Sequence, residues 1–302
     1  MPDPQPLPDT LQGVPFSVSA AQALGVPTRR LRARDLRAPF HGVRERSDRA
    51  QDLLSRCLAY STRASTHVVF AQATAAQLWG LPLPLALEHD PSLHVLHLAG
   101  GRAPRGAGVR GSKSSRTVAI RALHGIRLTA PVDTWLGLAA TLHLPDLVAL
   151  GDAIVSGDAP LASIRDIHAG IRDRPGARGI RRAREAASLI RRGSRSRRES
   201  LLRVALVDAG LPEPEINAAV ELSDGSTYHG DLVFRAHRVV VEYEGDQHRT
   251  DDWQWAHDID RYNRMIASGW FPLRISRRLG FEAAAHVVRE TLSTRTASGA
   301  HP

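Results

Sequence analysis

Three carboxylates, Asp231, Glu242 and Glu244, stand among valines in segments that otherwise read as buried strand: Gly230-Asp-Leu-Val-Phe and Val239-Val-Val-Glu-Tyr-Glu. Side chains alternate along a strand, so Glu242 and Glu244 share one face about 6–7 Å apart, while Val239, Val241 and Tyr243 take the other. On the preceding segment, alternation pairs Asp231 with Val233. The tight Arg235-Ala236-His237 connection then sets Asp231 beside Glu242 on a neighbouring strand, about 5 Å away. Carboxylates this close repel one another unless a cation neutralises them. All-oxygen donors suit Mg²⁺ or Mn²⁺. Such an ion polarises a phosphoryl oxygen and supplies a hydroxide at neutral pH, which is the chemistry of phosphodiester hydrolysis.

The elements that must position these acids are legible over residues 196–295. Ser196–Ala209 is an amphipathic helix through Leu201, Leu202, Ala205 and Leu206 that ends at Gly210. Ile216–Leu222, Tyr228–Phe234 and Arg238–Glu244 read as strands, the first pair joined by the turn Ser223-Asp224-Gly225-Ser226. Asp252–Ser268 is a helix expected to bury Trp255, Ile259, Tyr262 and Ile266 on one face. Trp270–Ile275 is a further strand and Phe281–Leu292 a closing helix, giving the order helix, three strands, helix, strand, helix. Ser196-Arg-Arg-Glu199 matches a capping box, so Glu199 has a purely helical role open to it. Asp260 and Arg264 are spaced i,i+4 as an ordinary surface pair, and Asp258 and Arg261 are left open.

The run Gly230-Asp231, Val239-Val-Val-Glu242-Tyr243-Glu244-Gly-Asp-Gln247-His248, with Asp258-Ile-Asp-Arg261 and Leu273-Arg274 downstream, resembles the PD-(D/E)xK nuclease superfamily. Within it, the likeness is to the family related to very-short-patch-repair (Vsr-like) endonucleases, over about residues 195–292. The resemblance implies an α-β-β-β-α-β-α domain with Glu199, Asp231, Glu242, Glu244, Gln247 and His248 in the catalytic set. Asp231, Glu242 and the Tyr243 carbonyl would be metal ligands, His248 the proton-transfer group and Gln247 a polar contact. Glu244 sits where many superfamily members carry lysine. An acid there cannot stabilise a pentavalent phosphate as an ammonium does, though it can bind a second cation or orient water.

The rest of the chain differs in charge. Residues 199–295 hold 16 acidic against 11 basic side chains, so a chain of net +9 carries +14 elsewhere, nearly all of it arginine. A basic body joined to an acidic domain fits a polyanion held by one part near a metal in the other, although a solvated basic surface has the same composition. Residues 1–12 read as a disordered Pro/Asp-rich tail. In 13–45, Ser19 is a candidate cap for a short helix, and Thr28 for an arginine-rich second helix carrying Arg29, Arg30, Arg32 and Arg34. A strand at Phe40–Arg44 follows, the parts of a winged helix-turn-helix. Residues 46–160 mix helix and strand, with scattered histidines that lack ligand spacing. Residues 161–195 read as an arginine-rich helical linker.

Pro15-Phe-Ser-Val, Gly25-Val, Arg30-Leu, Phe40-His-Gly-Val, Ala71–Pro82 and Leu128–Trp135 are similar to AbiEi-type (type IV) antitoxins. This likeness implies DNA binding through Arg29, Arg30, Arg32 and Arg34, and a protein partner in a toxin–antitoxin or defence setting. The single cysteine, Cys57, excludes an intrachain disulfide and a cysteine-based zinc site. The proline-rich start lacks a signal-peptide pattern and no apolar run reaches membrane-spanning length, so the expected location is the cytoplasm. The sequence therefore points to a mixed α/β, multidomain DNA-binding protein with a Mg²⁺- or Mn²⁺-dependent endonuclease domain. The alternative is a non-catalytic DNA-binding regulator or antitoxin-like protein on a degenerate nuclease fold.

Overall fold

A computed structural model describes residues 5–98, 100–244 and 252–298. The architecture is mixed α/β, and the chain divides into two compact units, Met1–Leu138 and Ala139–Pro302. Among the described residues no helix is long and apolar enough to cross a membrane.

The first unit opens with β1 (Phe16–Ser17), α1 (Val18–Ala23), β2 (Leu36–Arg37) and β3 (Val43–Arg46), the strands forming a sheet of order β1-β3-β2. Ser17, not Ser19, caps α1 by accepting the Ala20 amide at 3.1 Å. The arginine-rich second helix expected from Thr28 is absent; only a 3₁₀ turn covers Arg30–Arg32. Arg30 is buried, its guanidinium bonding Asp35 through both terminal nitrogens at 2.9 and 2.7 Å and its Nε donating to the Gln5 carbonyl. Residues five apart do not face one another on a helix; the pair closes because the chain turns extended at Ala33. The start of the chain, expected to be disordered, packs from residue 5 onward. Leu7 and Leu11 are buried with Phe16, Ala21, Val26, Leu31 and Leu36, because their apolar area outweighs the polar composition around them.

The unit continues with α2 (Leu53–Ser61), β4 (Val68–Phe70), α3 (Gln72–Leu78), α4 (Leu85–Glu88), β5 (Leu93–His97), β6 (Arg105–Gly106), β7 (Val109–Lys113), β8 (Ile120–Leu123), β9 (Ile126–Thr129) and α5 (Pro131–Leu138). The strands form a mixed sheet of order β6-β7-β5-β4-β9-β8. Its core gathers Phe70, Leu93, Val95, Ile126 and Leu128 against Cys57, Tyr60 and Ala75 of the helices.

The second unit begins with α6 (Leu144–Val155), α7 (Ile164–Arg172) and α8 (Ile180–Leu189), followed by α9 (Arg197–Asp208), β10 (Glu215–Glu221), β11 (Thr227–Phe234), β12 (Val239–Glu244), α10 (Asp252–Ala267), β13 (Phe271–Ser276) and α11 (Phe281–Ser298). The stretch expected to be a linker is thus integral to this unit. Ile167, Ile171, Ile180, Ala183, Ala186, Ala187 and Ile190 are buried; Arg181 and Arg184 of α8 are exposed, and Arg182 donates to the Ala139 and Leu142 carbonyls. α6, placed with the middle region by sequence, also belongs here. A buried ion pair between Asp152 of α6 and Arg203 of α9 (3.0 Å) is the tie that composition did not reveal.

The sheet of this unit has order β10-β11-β12-β13, antiparallel except for the parallel pair β12–β13. Gly225, at φ +80°, makes the tip of the β10–β11 hairpin. One face packs Leu232, Phe234, Val239 and Val241 against Leu202 and Leu206 of α9 and Ala284, Val288 and Leu292 of α11. The other packs Val220, Leu222, Val233 and Val240 against Met265 and Trp270. The expected apolar face of α10 is corrected at its two isoleucines; Tyr262 is retained, and the side chain of Trp255 lies outside the described residues. Ile259 and Ile266 are 39% and 59% exposed while Met265 is 1% exposed, so the helix meets the sheet through Arg261, Tyr262 and Met265, a stripe at i, i+1 and i+4.

Candidate active site

The antiparallel ladder of β11 and β12 runs Phe234↔Val239, Val233↔Val240, Leu232↔Val241. Continuing that register by one step sets Asp231 opposite Glu242. β12 alternates as expected: Val240, Glu242 and Glu244 turn toward α10, and Val239, Val241 and Tyr243 toward α9 and α11.

β11 does not alternate throughout. Tyr228 packs with Val233 on the α10 side, and a Cβ built at Gly230 would lie 2.3 Å from Val240 Cγ1 and 3.1 Å from Val233 Cγ2, also on that side. Residues 228, 230 and 233 share a face, so the phase shifts between Gly230 and Leu232. β10 shifts at the same row: Asn217, paired by register with Asp231, adopts a left-handed φ of +46°. The inference from strict alternation that Asp231 shares the face of Glu242 is therefore corrected. The Asp231 Oδ2 accepts the Tyr243 amide at 3.0 Å. Gly230 carries no side chain because Val240 already fills that space.

Glu199 reaches the same place from α9. Its amide donates to Ser196 Oγ at 3.2 Å, the capping bond expected from sequence. Its carboxylate does not close the box on Ser196, however; Oε2 accepts the Arg195 amide at 2.9 Å and Asn217 Nδ2 at 3.3 Å. Asn217 also donates to the Gly193 carbonyl at 2.6 Å, which explains its tolerated backbone conformation: asparagine enters the left-handed region more readily than most residues. Asp231 is pushed up to about 6, first by burial and then by the charges of Glu199 and Glu242, against the Tyr243 amide and Arg195. Both glutamates are thus near enough to oppose its ionisation.

Glu242 and Glu244 already hold counter-charges. Glu242 Oε1 accepts the Tyr228 hydroxyl, and its Oε2 lies 3.6 Å from an Arg261 terminal nitrogen. Burial, then the hydrogen bond to Glu242 and its charge, push the Tyr228 phenol well above its ordinary range. Glu244 binds Arg274, which is Glu242's register partner on β13. The two guanidinium groups and two rings form a ladder: Arg261 lies over Tyr228 at 5.1 Å and over Tyr262 at 5.7 Å, and Arg274 lies over Tyr262 at 5.0 Å. Sequence reasoning passed over Tyr228 and Asn217. The only local signal was their place on the two strands that carry or face Asp231.

Of the sequence-selected residues, Glu199 and Glu242 are near enough to Asp231 to oppose its ionisation, while Glu244 pairs with Arg274. Tyr243 enters through its amide. Gln247 and His248 lie outside the described residues. Arg264 reaches Asp224 at 3.7 Å rather than Asp260. In the first unit Arg29, Arg32 and Arg34 are exposed, whereas Arg30 is taken by Asp35 and is corrected as a nucleic-acid contact.

The donor chemistry suits a hard divalent cation: Asp231 and Glu199 are mutually repelling oxygen donors, each with one carboxylate oxygen that accepts no hydrogen bond among the described residues. No three histidine, cysteine or acidic side chains among the described residues converge as a ready metal cage, since Glu242 is drawn aside by Tyr228 and Arg261.

The uncharacterized protein Rv2248 of Mycobacterium tuberculosis (strain ATCC 25618 / H37Rv) is 27% identical over 224 residues, covering 72% of this chain and 78% of that protein. MT2308 of strain CDC 1551 / Oshkosh, also described as uncharacterized, gives the same figures. No protein-family profile matches the chain, and no solved structure matches it.

Proposed function

We propose that this protein binds DNA and that its second unit is a Mg²⁺- or Mn²⁺-dependent endonuclease domain of the Vsr-like, PD-(D/E)xK type its motifs resemble. The observation that carries the reading is the acid cluster: Asp231, pushed up to about 6 by burial, Glu199 and Glu242, is costly to the folded chain and is relieved by a cation. The order α9, β10, β11, β12, α10, β13, α11 supports the same reading. A bound divalent ion would polarise a phosphoryl oxygen and lower the pKa of water. Asp231 and Glu199 would orient the ion through their open oxygens. The Tyr243 amide and Asn217 fix those two carboxylates in place, and Tyr228 and Arg261 engage Glu242.

Full-length protein should nick or linearise supercoiled DNA in Mn²⁺ or Mg²⁺ and leave it intact in EDTA. Absence of metal-dependent cleavage, with no Mn²⁺ uptake in calorimetry, would remove the enzyme reading. A second reading has its own support: Glu242 and Glu244 are already neutralised by Arg261 and Arg274, as in a degenerate site. On that reading the chain is a non-catalytic DNA-binding regulator or antitoxin-like protein with a protein partner, and sequence-specific DNA binding would persist without cleavage.

The first unit would hold phosphates through Arg29, Arg32 and Arg34. Replacing all three by alanine is expected to weaken DNA binding and flatten the dependence of log K on log salt by about 2–3. The salt slope in a filter-binding or anisotropy titration checks this. Arg30→Ala should act on stability instead, because Arg30 closes the buried pair with Asp35.

A further inference from the structure

We infer that Arg261 is the counter-ion of Glu242 in the metal-free protein and changes partner when the site is loaded, releasing Glu242 to the cation and turning its guanidinium to a non-bridging oxygen of the phosphodiester. The inference rests on the nuclease reading above and names the residue that couples metal to substrate. Three observations carry it. Glu242 Oε1 accepts the Tyr228 hydroxyl and its Oε2 faces Arg261, so the guanidinium charge competes with a dication for that carboxylate. The Arg261–Glu242 approach is 3.6 Å, an ion pair that is close but longer than a direct hydrogen bond. The rings of Tyr228 and Tyr262 lie within cation–π range of the guanidinium, so its position does not depend on the carboxylate alone.

A guanidinium beside two aromatic rings stays in the site when its ion-pair partner leaves, able to turn toward a new acceptor. Its planar fork matches phosphate oxygens, and it stands beside the acids that would hold the ion. Arg274 is tied to Glu244 through both Nε and a terminal nitrogen. In this arrangement Glu244 needs no ammonium in its place, because the cation facing the phosphate comes from α10. Metal and phosphodiester then bind cooperatively: the ion takes Glu242 from Arg261, and the phosphate takes the place of Glu242 beside that arginine. No covalent step is involved.

The test is Mn²⁺ calorimetry on full-length wild type, Arg261→Gln and Arg261→Lys, each alone and with a short DNA duplex. Without DNA, Arg261→Gln should bind Mn²⁺ at least about fivefold more tightly than wild type, because the competing cation is gone. Adding duplex should tighten Mn²⁺ binding by wild type by a similar factor and leave Arg261→Gln unmoved. Arg261→Lys keeps the charge and should stay near wild type without DNA, serving also as the comparison should the glutamine variant misfold. Equal or weaker Mn²⁺ binding by Arg261→Gln, in a wild type that does bind Mn²⁺, would overturn the inference and leave the nuclease reading standing. No Mn²⁺ uptake by wild type, together with no cleavage, would overturn both.

Discussion

Asp231→Asn is expected to reduce metal-dependent DNA cleavage by at least about a hundredfold and, in EDTA, to make the protein more stable at neutral pH. The two effects share one cause. In the folded chain Asp231 keeps its proton up to about pH 6, whereas in the unfolded chain it releases it near 3.9. Wild type therefore holds this contribution in full below about pH 4, loses it as pH rises through about 6, and is flat above. Asparagine accepts the Tyr243 amide as the carboxylate does but carries no charge. Discounted for partial solvent access, the gain is about 1–2 kcal/mol at pH 7–8, or a few degrees in Tm, and it vanishes near pH 4. Melting curves in EDTA at the two pH values check the sign. A carboxylate kept only to brace the fold would give the opposite result, destabilisation at neutral pH. A site whose ionised form costs stability is one kept for something other than stability.

Arg203→Ala is expected to lower the stability of the second unit by about 3–5 kcal/mol. Arg203 and Asp152 are each 1% exposed at the side chain and meet at 3.0 Å. Arg203 also donates to the Leu189 carbonyl at 2.7 Å and to Glu213 at 2.9 Å, while the Arg191 amide donates to Asp152 at 2.7 Å. Burial pushes the Asp152 carboxyl up and the Arg203 charge pulls it back; without the arginine a buried acid is left uncompensated. Urea unfolding measures the loss. The double variant Arg203→Met, Asp152→Leu should recover most of it, since removing both charges removes the desolvation cost as well. If the double variant were as unstable as the single one, shape and not charge would be the cause. The network joins α6 and the end of α8 to α9, the helix that carries Glu199, so Arg203→Ala should also loosen the candidate site.

How much was legible depended on the range of the interaction. The run of valines and acids in 230–244, the Asp224-Gly225 turn and the short Arg235–His237 connection set the order of strands and the register Leu232↔Val241, because alternation and turn chemistry act over a few residues. The like-charge crowding that suggests a divalent ion was legible for the same reason. Glu199 was open to either a helical or a catalytic role from sequence; in the structure it caps through its amide and presses on Asp231 through its charge.

What only the tertiary structure decided involves partners far apart in the chain. The phase shift at Asn217 and Asp231 breaks the alternation that would by itself set Asp231 on the face of Glu242, and neither residue alone signals it; Glu199 and the Gly193 carbonyl hold Asn217 in its left-handed conformation. The apolar spacing of α10 favoured Ile259 and Ile266, yet the sheet offered Tyr228 and Glu242, and the helix turned Arg261 toward them. Arg30, expected among exposed cations, found Asp35 once the chain bent, and an arginine-rich stretch expected as a linker was drawn in by its isoleucines and alanines. A charged side chain has no periodicity of its own. Where it ends up follows from which counter-charge the assembled fold brings within a few ångströms, because the cost of burying it alone exceeds any local preference.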